Sequence, residues 1–185
     1  MKKPPIFILT GAPASGKSSV SKALLKHFPY GIHIPVDHLR GMVVSGLSNP
    51  IGSWDAETDR QFRLARDSAA LIAQTYAQSG FAVVIDDVIF PNQIIKHYET
   101  ALVTFEVHKA LLRPSIAVSK ARNRRREIEV DNQQLEQIIE PIYQHFATFN
   151  LEEMKKEGWC ILDTSQYSIE ETVSEIITQI GYSPG

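Results

Sequence analysis

The sequence contains a single cysteine, Cys160, which excludes any fold that depends on internal disulfide bonds. Its apolar neighbours in residues 159–162 favour a packed thiol over a reactive one. Long hydrophobic runs are also missing, since the apolar stretch near the amino end covers only residues 6–9. Such a stretch is too short for a secretion signal or a membrane span. We therefore expect a cytoplasmic protein with no membrane partner.

An excess of positive charge is missing as well, because 19 lysines and arginines face 21 acidic residues and the net charge is −2. Binding to nucleic acid through general electrostatics needs a basic face, so no nucleic-acid partner is expected. The six histidines show no spacing typical of metal ligands. The length of 185 residues suits one domain over residues 1–185, and we expect a monomer or a homodimer.

The most informative segment is residues 11–18, Gly-Ala-Pro-Ala-Ser-Gly-Lys-Ser, which match the phosphate-binding pattern G-x-x-x-x-G-K-[ST] at every fixed position. The apolar run Ile6–Leu9 before it predicts a buried strand, and the run Ser19–His27 after it predicts a helix. The motif requires a strand, a glycine-rich loop and a helix in this order. Because the predicted elements follow that order, a chance match in a glycine-containing turn is the poorer explanation.

The residue types in this loop suit a nucleoside triphosphate. Gly11 and Gly16 let the backbone approach an anion, and the amide groups of the loop then point at it. Lys17 can reach the outer phosphates, and Ser18 offers a hydroxyl to Mg²⁺. The residues expected to contact the nucleotide are Gly11, Ala12, Pro13, Ala14, Ser15, Gly16, Lys17, Ser18 and Ser19.

Predicted strands and helices alternate along the chain, which indicates an α/β fold with a parallel sheet covered on both faces. Pro141 lies inside a helical stripe, so we expect a kink or two abutting helices there. The strands are predicted at residues 6–9, 32–36, 81–85, 104–112 and 159–162. The main helices are predicted at 19–27, 57–79, from Pro91, from Pro114 through the arginines at 122–126, at 135–149 and at 168–180.

Two adjacent carboxylates follow the third predicted strand and are candidates for metal or substrate binding. Asp86 ends the apolar strand Val83–Ile85, as a Walker B carboxylate does, and is predicted to hold Mg²⁺ together with Ser18. Asp87 should point to the other side of the strand and serve the substrate. The alternative for either aspartate is that it only caps the following helix.

Asp37 follows the second predicted strand, so it should face the same crevice as the phosphate loop. A carboxylate there can accept the proton of an attacking hydroxyl, and Arg40 is placed to hold the substrate. Asp37 could instead be a helix N-cap, and His38 is an alternative base. The loop Gly41–Trp54 is long for a compact domain, and we assign Trp54 to the substrate side.

Arginines cluster at the predicted end of the helix that follows Pro114. Arg122 shares a helix face with Arg125 or Arg126, and these three are predicted to stabilise the transferring phosphoryl group from a lid over about residues 122–141. A solvated face is the alternative for this cluster, and RNA binding is a weaker one. Arg63 and Arg66 on the long helix could grip an acceptor phosphate or pair with nearby aspartates.

Four segments together resemble the small P-loop kinases, and most closely the chloramphenicol phosphotransferase-like proteins, with gluconate-kinase-like and zeta-toxin-like proteins more distant. They are the phosphate loop, Val36–Leu39, Val83–Val88 and Leu111–Arg126. The resemblance implies a P-loop NTPase fold of the nucleoside-kinase-like type with a five-stranded parallel sheet, the first strand lying between the Walker B strand and the fourth. It also implies ATP and Mg²⁺ as cofactors.

The same resemblance assigns roles to individual residues. Asp37 matches the catalytic base, Arg122 matches an arginine near adenine, and Asp163 and Thr164 fall where the loop that contacts adenine usually lies. We therefore expect a phosphotransferase that moves the γ-phosphoryl group of Mg-ATP to a hydroxyl of a small molecule, such as an antibiotic or a sugar acid. The alternatives are a nucleoside or nucleotide kinase and a nucleotide-dependent regulatory NTPase.

Overall fold

A computed structural model describes residues 4–51, 54–125 and 132–182. Five parallel strands form one sheet in the order β2-β3-β1-β4-β5, so β1 lies between β3 and β4 as predicted. The strands are β1 Ile6–Thr10, β2 Gly31–Pro35, β3 Ala82–Asp86, β4 Val107–Leu112 and β5 Trp159–Leu162. The α/β fold and the five-stranded parallel sheet are confirmed.

The helices connect successive strands, except for the last helix, which follows β5, and together they cover both faces of the sheet. A π-helical turn, Ile95–Glu99, continues α4. The helices are α1 Lys17–Leu25, α2 Val36–Gly41, α3 Ala56–Gln78, α4 Pro91–Ile94, α5 Ile116–Arg124, α6 Asn132–Phe146, α7 Leu151–Lys156 and α8 Ile169–Gln179.

Strands β1 and β3 are buried along their whole length because they lie at the centre of a sheet that has apolar layers on both faces. One layer contains Ile6, Ile8, Val83 and Ile85 with the alanine-rich face of α3. The other layer contains the strand residues whose side chains point to the opposite face of the sheet, packed with α1 and α8. Because side chains alternate along each strand, they contribute to two separate hydrophobic cores, one on each face of the sheet.

Local capping explains where several helices begin and end. Asp55 accepts a hydrogen bond from the Thr58 amide at 2.7 Å and starts α3, while Gly80 follows its end with a φ of +88°. Ser168 and Glu171 form a capping box at the start of α8.

Four sequence expectations need correction. Strand β4 begins at Val107 rather than Thr104, because residues 101–105 form turns. Pro114 lies before the Ser115 cap of α5 and not in its first turn. Asp37 lies inside the first turn of α2 and not at a strand end. Helix α6 runs through Pro141 as one helix, so the alternative of two abutting helices is wrong, while the kink stays a prediction.

Among the residues that the structure describes, no helix combines the length and apolar character that crossing a membrane would require.

Candidate active site

The phosphate loop joins β1 to α1 and has a backbone that only glycine tolerates at two points. Gly11 has a φ of +149° and Gly16 a φ of +100°. A Cβ atom on Gly11 would lie 2.4 Å from the Leu112 carbonyl oxygen, so a side chain has no room there. The Ser15 amide donates to the Ala12 carbonyl at 3.1 Å and closes the turn. The sequence pattern and the loop geometry therefore agree.

Lys17 is buried, and its ammonium group lies across the loop. Its Nζ atom donates to the carbonyl oxygens of Gly11 and Ala12 at 3.1 and 3.2 Å. Among the described residues, the buried Ser15 hydroxyl has no hydrogen-bond partner. A lysine and an unsatisfied hydroxyl at the start of a helix fit a polyphosphate, whose oxygens accept hydrogen bonds from both groups.

The predicted magnesium residues lie together. The Ser18 hydroxyl donates to Asp86 Oδ2 at 2.6 Å. Burial by itself would raise the pKa of the Asp86 carboxyl. The hydrogen bond to His33, the charge of Lys17 and the hydrogen bond from Ser18 outweigh this effect, so the pKa lies below its ordinary value. The carboxylate is therefore charged at neutral pH, as a magnesium ligand must be. This donor set fits Mg²⁺ bound jointly with phosphate oxygens.

His33 is a site residue that the sequence analysis missed. Its Nε2 atom lies 3.1 Å from Asp86 Oδ2, the same oxygen that accepts from Ser18. A signal was present, because a histidine between Ile32 and Ile34 projects to the opposite face of the strand from both. His33 thus orients the Asp86 carboxylate from the neighbouring strand, as outer groups orient metal ligands elsewhere.

A cavity of about 300 Å³ opens beside the phosphate loop. Arg122 reaches over it and donates to the carbonyl oxygens of Ser15 at 3.3 Å and Thr164 at 3.0 Å. Tyr167, which the sequence analysis did not single out, also lines this cavity and is exposed. Asp163 does not line it, because its carboxylate accepts from the amide and hydroxyl of Ser165 and it borders a second cavity.

Two further arginines of the cluster, Arg124 and Arg125, are described, and neither lines the cavity beside the loop. Arg124 pairs with Glu136 on the exposed surface, at 2.5 Å. Arg125 caps the end of α5 and is exposed. Arg126 lies outside the described residues, as does the part of the predicted lid at 126–131. The structure therefore brings Arg122 to the loop and leaves the roles of Arg125 and Arg126 as predictions.

Asp37 stands at the same edge of the sheet as the magnesium residues. Strands β2 and β3 pair so that Pro35 faces Asp86, which places Asp37 near the end of β3. Its side chain is exposed, yet the protein around it is dense. This partial desolvation, followed by the negative charge of Asp87, raises the pKa of the Asp37 carboxyl, against the opposing charge of Lys17. A carboxyl with a raised pKa is a better base than an ordinary aspartate. The alternative base, His38, is exposed in the same turn.

Arg40 and Trp54 meet on the Phe62 ring of α3. The Arg40 guanidinium lies 4.6 Å from the ring centroid, and the indole of Trp54 stacks on it at 4.9 Å. Arg40 Nη1 also donates to the Ser48 carbonyl at 2.8 Å. These contacts fix the loop after α2 beside Asp37, and they leave 55% of Trp54 exposed.

Asp87 is buried and forms an ion pair that the sequence analysis did not anticipate. The Nε atom of Arg66 donates to Asp87 Oδ2 at 2.8 Å, and the Tyr98 hydroxyl donates to the same oxygen at 3.1 Å. Arg66 therefore pairs with Asp87 rather than with Asp59 or Asp67 on its own helix. Among the described residues, Asp87 Oδ1 has no hydrogen-bond partner.

Three solved structures with low sequence identity share this architecture over nearly their whole length. The tunicamycin resistance protein of Deinococcus radiodurans is 16% identical, with a TM-score of 0.60 and coverage of 97% of each chain. A gluconokinase from Sinorhizobium meliloti 1021 is 16% identical, with a TM-score of 0.63 and coverage of 98% of this chain and 94% of the other. Thymidylate kinase from Candida albicans is 15% identical, with a TM-score of 0.64 and coverage of 97% and 93%.

At these identities the likeness concerns the fold, which is that of the P-loop kinases. No match to the sequence is found among curated proteins. The model of one family, the chloramphenicol phosphotransferase-like proteins, matches residues 5–142. That range includes the phosphate loop, Asp37, Asp86, Asp87 and Arg122. The chain therefore belongs to the chloramphenicol phosphotransferase-like family.

Proposed function

We propose that this protein is an ATP-dependent phosphotransferase that moves the γ-phosphoryl group of Mg-ATP to a hydroxyl group of a small molecule. One observation carries the proposal. The phosphate loop with its Ser18–Asp86 pair lies at the carboxyl ends of β1 and β3, and the candidate base Asp37 lies in the helical turn that follows the neighbouring strand β2. A donor phosphate and an acceptor hydroxyl can meet at such an edge, where open α/β sheets bind their ligands.

The donor side consists of groups that bind and orient phosphate. The loop amides, the Ser15 hydroxyl and the Lys17 ammonium would hold the β- and γ-phosphates. Ser18 and Asp86 would hold Mg²⁺, which when bound neutralises charge on the phosphate oxygens. Fixed positive charge that needs no rearrangement during the reaction lowers the barrier by stabilising the developing charge.

The acceptor side supplies the base. Asp37 would take the proton of the acceptor hydroxyl while the hydroxyl oxygen forms a bond to the γ-phosphorus. The bond between the γ-phosphorus and the β-phosphate oxygen breaks in the same step, which releases ADP. General base catalysis of this kind contributes roughly 10²–10⁴ in rate. Arg40 and Trp54 would shape the space in which the acceptor binds, whereas the buried Asp87 would act there only through its charge.

The cavity beside the loop would hold the nucleoside, with Arg122 and Thr164 at its wall and the Tyr167 ring at its opening. Arg122 is well placed for this role because it already bridges Ser15 of the phosphate loop and the Thr164 loop. Arg125 and Arg126 would add positive charge when the lid closes over the phosphates. Asp163 would act by fixing the turn at Ser165 rather than by contact with adenine.

Transfer of label from γ-³²P-ATP to a pool of cell metabolites tests the proposal. The wild-type protein with Mg²⁺ should produce a labelled small molecule. Asp37→Asn should lower its formation by roughly 10²–10⁴-fold and leave Mg-ATP binding unchanged. Asp59→Asn, which changes an exposed aspartate of α3, is the matched control and should be fully active.

Two outcomes would contradict the proposal. Label that goes only to free phosphate, with the wild-type protein and every metabolite fraction, would favour a regulatory NTPase. Unchanged transfer by Asp37→Asn would remove Asp37 from the reaction and direct attention to His38.

A further inference from the structure

The second cavity, which lies beside Asp163, has a volume of about 470 Å³, against about 300 Å³ for the cavity beside the phosphate loop. Its walls come from the ends of β4 and β5, the start of α5, and residues of α6 and α7. Among the described residues, the two cavities have no lining residue in common. The proposed reaction gives this second cavity no ligand.

The two cavities lie on opposite faces of the sheet. Val20 of α1 and Thr172 of α8 line the cavity beside the loop, and those two helices pack in the hydrophobic layer that contains Leu112. Leu151 and Ile161 line the second cavity, and both pack against the other layer. The ends of β4 and β5 would therefore separate a ligand in the second cavity from the nucleotide.

Arg113 brings an unsatisfied hydrogen-bond donor to the second cavity. Its backbone amide donates to the Leu162 carbonyl at 2.8 Å and extends the pairing of β4 with β5 by one residue. Its Nε atom is buried and, within the part of the chain that the structure describes, has no hydrogen-bond partner. A carboxylate pairs with a guanidinium through two N–H groups at once, and a rotation of the half-buried Arg113 side chain would bring both to the cavity.

Lys155 and Asp163 add one charge of each sign to the wall. The Lys155 ammonium pairs with Glu152 at 2.9 Å on the exposed surface, and such a pair contributes little, so it can exchange for a ligand. Hydrogen bonds from Ser165, followed by the charge of Arg113, lower the pKa of the Asp163 carboxyl. Two cations and one carboxylate suit a ligand with a single acidic group better than a dianion or a polyphosphate.

Aliphatic residues make up much of the remaining wall. Ile161 is the residue of β5 that is not fully buried, and its side chain lines the cavity with Pro114, Ile116 and Leu151. The Tyr143 hydroxyl already donates to the Pro114 carbonyl, which leaves its ring as a further apolar surface. Apolar surface beside a guanidinium fits an organic molecule better than inorganic phosphate.

We propose that the second cavity is a binding site for a small organic monoanion. The acidic group of the ligand pairs with Arg113 and Lys155, and its apolar body lies against the four aliphatic residues. This inference is independent of the proposed function. The cavity borders the start of α5, the helix that carries Arg122 to the nucleotide cavity, so a ligand here lies beside the nucleotide site without overlapping it.

The first experiment follows the fluorescence of anilinonaphthalene sulfonate, an aromatic monoanion, during titration of the wild-type protein in excess Mg-ATP. We expect one saturable dye site per chain. The uncharged parent compound, phenylnaphthylamine, should bind about tenfold more weakly or less, because it lacks the acidic group that the cations hold. The absence of saturable binding, displacement of the dye by Mg-ATP, or equal affinity for the two compounds would overturn the inference.

The second experiment tests Arg113 directly. Arg113→Met keeps much of the apolar stem of the side chain but removes the guanidinium, so the affinity for the dye should fall about tenfold or more. Arg63→Met, which changes an exposed arginine of α3, is the matched control and should bind the dye as the wild type does. Circular dichroism reports whether each variant is folded.

A second pair of variants serves where Arg113→Met does not fold. Lys155 is exposed, and Lys155→Met should weaken dye binding by about two- to fivefold. Lys156→Met changes the next residue of α7, which is also exposed and does not line the cavity, and should have no effect. Dye affinity that is the same in Lys155→Met, Lys156→Met and the wild type would place the dye elsewhere and overturn the inference.

Discussion

The donor side and the acceptor side of the site are built in different ways. On the donor side, the Lys17 ammonium contacts backbone atoms five and six positions earlier, and two glycines with positive φ shape the loop. On the acceptor side, Arg66 reaches Asp87 across 21 positions. The phosphate loop depends on a short continuous segment, whereas the acceptor side depends on how a helix, a loop and a strand end come together.

This difference gives the two halves different parts in the proposed reaction. A local loop that binds phosphate can serve any acceptor, because its chemistry concerns only the nucleotide. Side chains brought from separate elements can change one at a time without disturbing the sheet. We therefore expect changes on the donor side to abolish the reaction, and changes on the acceptor side to alter stability, pH dependence and choice of substrate.

The largest expected effect is on the donor side. Lys17→Ala should lower kcat/KM for phosphoryl transfer by roughly 10²–10³-fold, because a fixed charge on the transferring group is lost. Lys22→Ala, an exposed lysine on the same helix, should have normal kinetics. Steady-state kinetics with Mg-ATP measure both variants. Equal activity of the two would remove Lys17 from the mechanism.

The next effect concerns stability on the acceptor side. Arg66→Met leaves the buried Asp87 carboxylate without its partner and should lower the free energy of unfolding by about 3–5 kcal/mol. Arg60→Met breaks the exposed pair with Glu57 and should have little effect. Urea unfolding of the two variants gives the comparison. Equal stability would show that the buried pair has no structural role.

A smaller effect is that Mg-ATP binding and turnover should depend differently on pH. The pKa of Asp86 is lowered and that of Asp37 is raised. Since each carboxylate must be charged to act, turnover should be lost as the pH falls through the raised pKa of Asp37, while Mg-ATP still binds. Asp87→Asn removes one cause of that raised pKa and should move the acid limb of kcat/KM to lower pH. Binding and turnover that fall together would argue against this separation.

The smallest effect concerns the reactivity of Cys160, which belongs to neither half of the site and serves as a reference. Burial, with a contribution from Glu175, raises the pKa of the Cys160 thiol to about 12. The thiol should therefore resist a maleimide reagent in the native protein and react once urea unfolds it. Mass spectrometry reports the labelling. Rapid modification of the native protein would show that this part of the core opens readily.

The donor side and the sheet could be predicted from the sequence because each depends on short-range patterns. The loop pattern, the apolar runs of the strands and the caps at Gly80 and Ser168 are all local signals, and the structure has the corresponding elements. The boundaries that differ, at β4 and at Pro114, lie where turns compete with regular structure.

The acceptor side could not be predicted because its contacts join residues that no local pattern relates. The sequence suggested pairing of Arg66 within its own helix, whereas packing of α3 against the sheet brings it to Asp87. One contact of the donor side is equally non-local, because only the pairing of β2 with β3 brings His33 to Asp86. Arg40 was assigned to the substrate from its position, although its guanidinium also anchors the loop at Ser48.

Calorimetric titration of the wild-type protein with Mg-ATP tests the central claim most directly, because the proposed transfer requires a bound donor. We predict saturable binding of one nucleotide per chain, which Lys17→Ala strongly weakens and Lys22→Ala preserves. The absence of any heat of binding with ATP or GTP in the presence of magnesium would contradict it.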